Sequence, residues 1–229
     1  MLLEDITHHH KMETMEEKDL GVIVDLGLTF SKHIQTQVNK ANSVLRAIKH
    51  ILKALDLTAF RTLYKSLVHP NLEYASVILS LEQKRDRDTL EYVQRHATRL
   101  FTGLSDKSYE ERLFTLELPT LEFLRQRANM IQMIKLIQGM EETNPAPCSE
   151  CGRMFIQPAL NTNNQGHSFK LQIQHQPRPK DNFFTCRATK HSNRLTQDTV
   201  SANNVNIFKN LLTKEWKNNP DCYQYRFSY

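Results

Sequence analysis

No acidic residue stands between Asp25 and Asp56. Other shortages are global. Four cysteines in 229 residues do not form a disulfide framework, which points to an intracellular, nuclear or cytoplasmic, protein. Six glycines and eight prolines exclude collagen-like and low-complexity classes. No apolar run approaches the roughly 18 residues of a membrane span. The longest, about Ala75 to Leu81, is interrupted by serines, so no membrane partner is expected. The start, Met1-Leu2-Leu3-Glu4-Asp5, places acids where a secretory signal needs positive charge. G-x-S-x-G, P-loop, G-x-G-x-x-G and H-E-x-x-H patterns are all absent. There is no adjacent Asp-Asp pair, and Asp86 and Asp88 near a helix start read as capping residues. The residues therefore supply no complete active site, no catalytic residue and no cofactor motif.

What is present is a charge gradient. The net charge is +5. Residues 1–30 hold 2 basic and 7 acidic side chains, residues 31–139 hold 17 and 11, and residues 140–229 hold 11 and 7. An acidic head thus precedes a basic body, and a basic body favours a polyanionic partner.

The hydrophobic pattern divides the chain into four parts. Residues 1–30 form an acidic head. It carries a β-branched run, Leu20-Gly21-Val22-Ile23-Val24, that reads as a strand or hairpin ended by Asp25-Leu26-Gly27. Residues 31–139 form a helical bundle. Ile34, Val38, Ala41, Leu45, Ile48, Leu52 and Leu55 recur at helical spacing, with Ser31 as N-cap. A second helix carries Phe60, Leu63, Tyr64, Leu67 and Val68 and is broken or kinked by Pro70. Leu72 to Leu81 resumes as an apolar helical segment. A third clear helix turns Leu90, Val93, Ala97 and Leu100 inward and stops near Gly103. Ser108 and Glu111 have capping-box spacing. Thr120 caps a longer helix with Leu121, Leu124, Ala128, Ile131, Ile134 and Ile137, ended by Gly139. Residues 140–165 read as a linker, and residues 166–229 as a loosely packed tail with one helix near Val205 to Trp216. The fold class expected is mainly α, with a short N-terminal strand or hairpin.

The acid-free stretch carries the candidate site. On a helical projection from Ile34, the apolar stripe lies within about 60° of its mean direction. Arg46, Lys49 and Lys53 fall at about 120°, 60° and 100°, and Lys32 and Lys40 at about 160° and 240°. Exposed helix faces ordinarily mix signs to gain i,i+4 pairs. A one-sign face forgoes that gain, and a phosphate backbone is the simplest reason. Arg95 and Arg99, at i,i+4 on the third helix, extend the surface or pair with Glu91 and other acids. Cys148 and Cys151 resemble half a zinc ribbon, but Cys186 and Cys222 are isolated and supply no second pair; no metal site is assigned. His8-His9-His10 cannot converge on one ion from consecutive positions and reads as a solvated tract.

Several blocks of sequence carry a family resemblance. Glu17-Lys18-Asp19-Leu20-Gly21-Val22-Ile23-Val24-Asp25, followed by Leu28-Thr29-Phe30-Ser31-Lys32-His33, resembles the closing part of the palm in non-LTR (LINE-type) retrotransposon reverse transcriptases. Lys40-Ala41-Asn42, Leu63 to Ala75, Leu90 to Arg99 and Ser108 to Leu113 resemble that family's thumb helices. Gly166 to Leu171, Asn182-Phe183-Phe184 and Val205 to Lys209 resemble its C-terminal tail. Gln165, Ser192 and Thr196 stand where the family usually has Arg, Trp and Pro. The resemblance implies a thumb-and-tail fragment of an RNA-directed DNA polymerase, lacking the palm's Asp-Asp motif. In that family the thumb grips the template–primer duplex, which agrees with the basic face. Sequence-independent backbone contacts to an RNA–DNA hybrid or duplex are expected from Lys32, Lys40, Arg46, Lys49, Lys53, Arg95 and Arg99, without synthesis by this chain alone. The alternative is a non-catalytic helical structural or interaction module with no nucleic-acid role. A third reading is a zinc-assisted adaptor using Cys148 and Cys151. Oligomeric state is left open by the sequence.

Overall fold

The computed structural model describes residues 16–27, 29–51, 56–79, 84–139, 167–171 and 184–218. The chain enters through an antiparallel hairpin of β1 (Glu16–Asp19) and β2 (Val22–Asp25), with Asp19 opposite Val22 and Glu16 opposite Asp25. Leu20 was expected inside a strand. It instead forms the two-residue turn with Gly21, at φ 44° and 82°. A two-residue hairpin needs left-handed backbone at these positions to match strand twist. Asp25 then anchors the exit. Its carboxylate accepts from the Thr29 N–H (3.0 Å), the Thr29 hydroxyl (2.9 Å) and the Phe30 N–H (2.7 Å). Burial pushes the Asp25 carboxyl up, but these hydrogen bonds together hold it below its ordinary value.

Helix α1 (Ser31–Ile51) buries Ile34, Val38, Ala41, Leu45 and Ile48, as its spacing requires. Leu52, Lys53 and Leu55 lie outside the described residues. Ser31 does not cap its own helix. Its hydroxyl donates to Asp86 Oδ2 at 2.8 Å, so the two residues join the start of α1 to the first turn of α4 (Lys84–Arg99).

Around Pro70, where a break or a kink was expected, the chain stays helical. α2 (Leu57–Leu63) runs into a π-helical turn (Tyr64–Val68) and on into α3 (His69–Glu73). The His69 N–H reaches back to the Tyr64 carbonyl, five residues earlier. That register change puts Pro70 in the opening turn of α3, where its missing N–H costs little. The helical segment expected from Leu72 to Leu81 ends early: Tyr74 turns extended (ψ 126°), Ala75 is left-handed (φ 57°), and residues 74–78 form turns.

α5 (Tyr109–Leu116) opens with the expected capping box. The Glu111 N–H donates to Ser108 Oγ (3.2 Å), and the Ser108 N–H donates to Glu111 Oε2 (2.8 Å). Thr120 caps α6 (Leu121–Ile137) through the Phe123 N–H. Side chains from the hairpin through Leu121 share one core, with Phe60, Tyr64, Val68, Leu90, Val93 and Leu116 at its centre.

The tail is not loosely packed in its described residues. α7 (Phe184–Ser192), α8 (Gln197–Val200) and α9 (Val205–Asn218) enclose a second core of Leu171, Ala188, Leu195, Val200, Phe208, Leu212 and Trp216. Phe123, Met130, Met133 and Ile134 complete it from α6. α6 is therefore apolar on two sides, where a single stripe was expected. The tail also has polar ties. Asn193 and Leu171 exchange two hydrogen bonds (2.9 and 2.8 Å), and His167 Nε2 lies 2.8 Å from the Ser192 carbonyl. Arg187 donates to the carbonyls of Val77 and Leu79, tying α7 to the turn after α3.

No described helix is long and apolar enough to cross a membrane. The head through residue 15, the linker with Cys148 and Cys151, and Leu81 lie outside the described residues.

Candidate nucleic-acid interface

α1 and α4 pack side by side, and the valley between their exposed edges is the candidate site. Its lining follows from helix geometry: Asn39, Asn42, Arg46 and Lys49 occupy one flank of α1, and Tyr92 and His96 lie one turn apart along α4, with Leu100 just past its end. Leu45 forms the apolar floor. The groove is open, with a volume of about 470 Å³, and no carboxylate lines it.

The seven residues expected to form one basic surface are distributed differently. Arg46 and Lys49 share this groove, both exposed. Lys40 is exposed on the opposite flank of α1, towards His33. Burial pushes the His33 imidazole below its ordinary value, and the Lys40 charge adds to this. Lys32 forms an ion pair with Glu16 of the hairpin. Glu16 thus pairs with the first cation of the acid-free stretch, which stays exposed. Lys53 lies outside the described residues.

Arg95 turns away from α1. Its guanidinium stands over the Tyr109 ring, 5.0 Å from the centroid, and the buried Arg112 stands 5.6 Å from the same ring. Arg112 in turn donates to Thr98 Oγ1 (3.2 Å) and to the Lys107 carbonyl (2.6 Å). The Tyr109 hydroxyl donates to Glu91. Burial first, and the neighbouring Glu91 carboxylate second, push the Tyr109 phenol well above its ordinary value. This cluster joins α4 to α5 and gives Arg95 a packing role. Arg99 is exposed, one heptad after Tyr92 on the same line of α4.

Sequence reasoning overlooked the aromatic member of the site. Tyr92 is 68% exposed, and its ring plane lies 11° from that of His96, with centroids 6.5 Å apart. The available signal was position. Tyr92 falls off the stripe of Leu90, Val93, Ala97 and Leu100, so a ring there had to face water. Among the described residues no cluster of three or more His, Cys, Asp or Glu side chains suited to a metal ion occurs. No family model, curated protein or solved structure matches the chain.

Proposed function

We propose that the α1–α4 groove binds the backbone of an RNA–DNA hybrid or duplex without sequence preference. On this reading the chain acts as a thumb-like fragment resembling LINE-type reverse transcriptases, and it does not polymerise alone. The observation that carries it is the pair Arg46 and Lys49, exposed in an open groove that no carboxylate lines. Two unopposed cations raise the local potential, and a polyanion gains by releasing its condensed counterions there. Asn39 and Asn42 add neutral side-chain donors of the kind that fix register on phosphate oxygens. The absence of synthesis follows from the missing Asp-Asp pair, and primer extension with Mg²⁺ or Mn²⁺ is the assay that checks it.

The salt dependence of binding tests the groove. Each neutralised phosphate contributes roughly 0.7–0.9 to the steepness of log K against log[salt]. Replacing Arg46 and Lys49 together by Gln is expected to flatten the slope for a hybrid by between about one and two units. Lys40→Gln, on the other flank, leaves it nearly unchanged. Gln keeps the helix propensity, so an unchanged melting temperature is the control. A double variant with the parent's affinity and slope would make the groove a solvated face. The structural-module reading would then stand.

A further inference from the structure

A large aromatic ring left in water forgoes about 2 kcal/mol of burial. Tyr92 is not unique in this, since Phe114 on α5 is 79% exposed. Its surroundings are what differ. Tyr92 lines two depressions at once: the α1–α4 groove, and a second of about 630 Å³ bounded by Lys84, Arg85, Asp88 and Thr89. Cations from two elements therefore flank one ring. Arg46 and Lys49 of α1 stand on one side, and Lys84 and Arg85 from the first turn of α4 on the other. Arg85, Tyr92 and Arg99 repeat every seven residues, which sets them along one exposed line about 10 Å apart. The nearly parallel His96 ring lies one turn further on.

We infer that Tyr92 is a stacking platform for one unpaired nucleotide, whose flanking phosphates meet Arg46 and Lys49 on one side and Lys84 and Arg85 on the other. This rests on the backbone reading above and adds to it a single-stranded subsite, where a strand leaves the duplex. Every base has a flat π face, so an exposed ring captures bases regardless of identity, and adjacent cations hold the sugar–phosphate chain. A protein partner that buried Tyr92 would want few lysines around it, since protein interfaces are depleted of Lys. The ring is bordered instead by Lys, Arg, Asn and His, with Leu45 and Leu100 confined to the groove. Asp88, the one acid in the second depression, repels a phosphate placed over it and leaves the Lys84 and Arg85 side chains as the contacts.

The test compares two ligands on the full chain by fluorescence anisotropy. One is a blunt RNA–DNA hybrid. The other is the same hybrid with a four-nucleotide single-stranded extension, made in RNA and in DNA, with 2-aminopurine at the first unpaired position. The parent is expected to bind an extended hybrid, of either chemistry, about 5- to 150-fold more tightly than the blunt one. Tyr92→Ala should lose most of that margin and the 2-aminopurine quenching, while Tyr92→Phe keeps both. Because Tyr92 also lines the groove, any loss by Tyr92→Ala on the blunt hybrid should be much smaller than its loss on the extended ligands. Parental binding of extended hybrids by Tyr92→Ala, or equal losses on blunt and extended ligands, would overturn the platform. A parent that binds the blunt hybrid but gains nothing from either extension overturns the platform and leaves the backbone reading intact. A parent without salt-dependent binding to the blunt hybrid overturns the backbone reading itself.

Discussion

His69 illustrates how much a single partly buried side chain contributes. It closes the π-helical turn, with its ring 5.8 Å from that of Tyr64. Its Nδ1 lies 3.4 Å from Glu73 Oε2, a geometry that would suit an ion pair. Burial dominates over that attraction. It pushes the imidazole down to about 4, with the Lys65 charge adding to the effect, so His69 is neutral at pH 7. The unfolded chain then binds a proton that the folded chain refuses between about pH 6.5 and 4. Stability is expected to fall as pH drops through that window, by up to about 3 kcal/mol from this group. Glu73 acts in the opposite sense. Burial raises its carboxyl against the pull of Arg125 and Arg127, so acid favours its folded form. Urea unfolding of the parent and of His69→Gln at pH 7 and pH 4.5 checks this: the variant should lose less on acidification. The lowered His33 and His191 remain in both proteins and contribute a common background. Nothing local in the sequence reveals such a group. His69 beside Pro70 is unremarkable until α2, α3 and the core close around it. Gln94 is similar: buried, it accepts from the Tyr64 hydroxyl (3.2 Å) and donates to the Pro119 carbonyl (2.7 Å), both distant in sequence.

At the scale of elements, the hairpin turn offers the sharpest test. Gly21 holds φ +82°, and a Cβ there would sit 2.9 Å from the Tyr74 hydroxyl. That hydroxyl donates to the Leu20 carbonyl at 2.6 Å, so the turn is clamped onto the bundle. Gly21→Ala should therefore cost about 1–3 kcal/mol, through left-handed strain and displacement of Tyr74. Thermal melting measures it, and a variant as stable as the parent would show that the clamp carries no load. Elements governed by local rules were legible: the α1 stripe, the Ser108–Glu111 box, the Thr120 cap and the terminal helix all follow from spacing. Those decided by distant partners were not. Ser31 was taken by Asp86 rather than by its own helix, and Pro70 was absorbed by a register change invisible to pattern reading. α6 looked like one stripe because Phe123, Met130 and Met133 were not counted as a second face. In the candidate site, helical phase placed Arg46 and Lys49 together. It could not foresee that Glu16 would pair with Lys32 or that Tyr109 would draw Arg95 aside.

For the whole molecule, the two cores meet in α6. Leu121 belongs to the first core, and Met130, Met133 and Ile134 to the second. The tail cannot leave without exposing that second face. Trp216, the only tryptophan, is buried there with Phe123 edge-on at 5.2 Å. Its fluorescence reports the tail core, whereas far-ultraviolet circular dichroism reports all helices. The two signals are expected to trace one coincident urea transition. An earlier fluorescence transition would show a tail that unfolds by itself. Composition alone suggested a loosely packed tail, because the Asn- and Gln-rich stretches obscure how few apolar residues suffice once α6 supplies the rest. A helix clasped between two cores has a further property. The amide protons along its middle turns reach solvent only after both neighbours have let go. Hydrogen–deuterium exchange there should be the slowest in the protein, slower than in α1, whose outer flank forms the wall of an open groove. The rigid axis of the molecule is then α6, and the groove proposed to meet a ligand lies on the helices beside it.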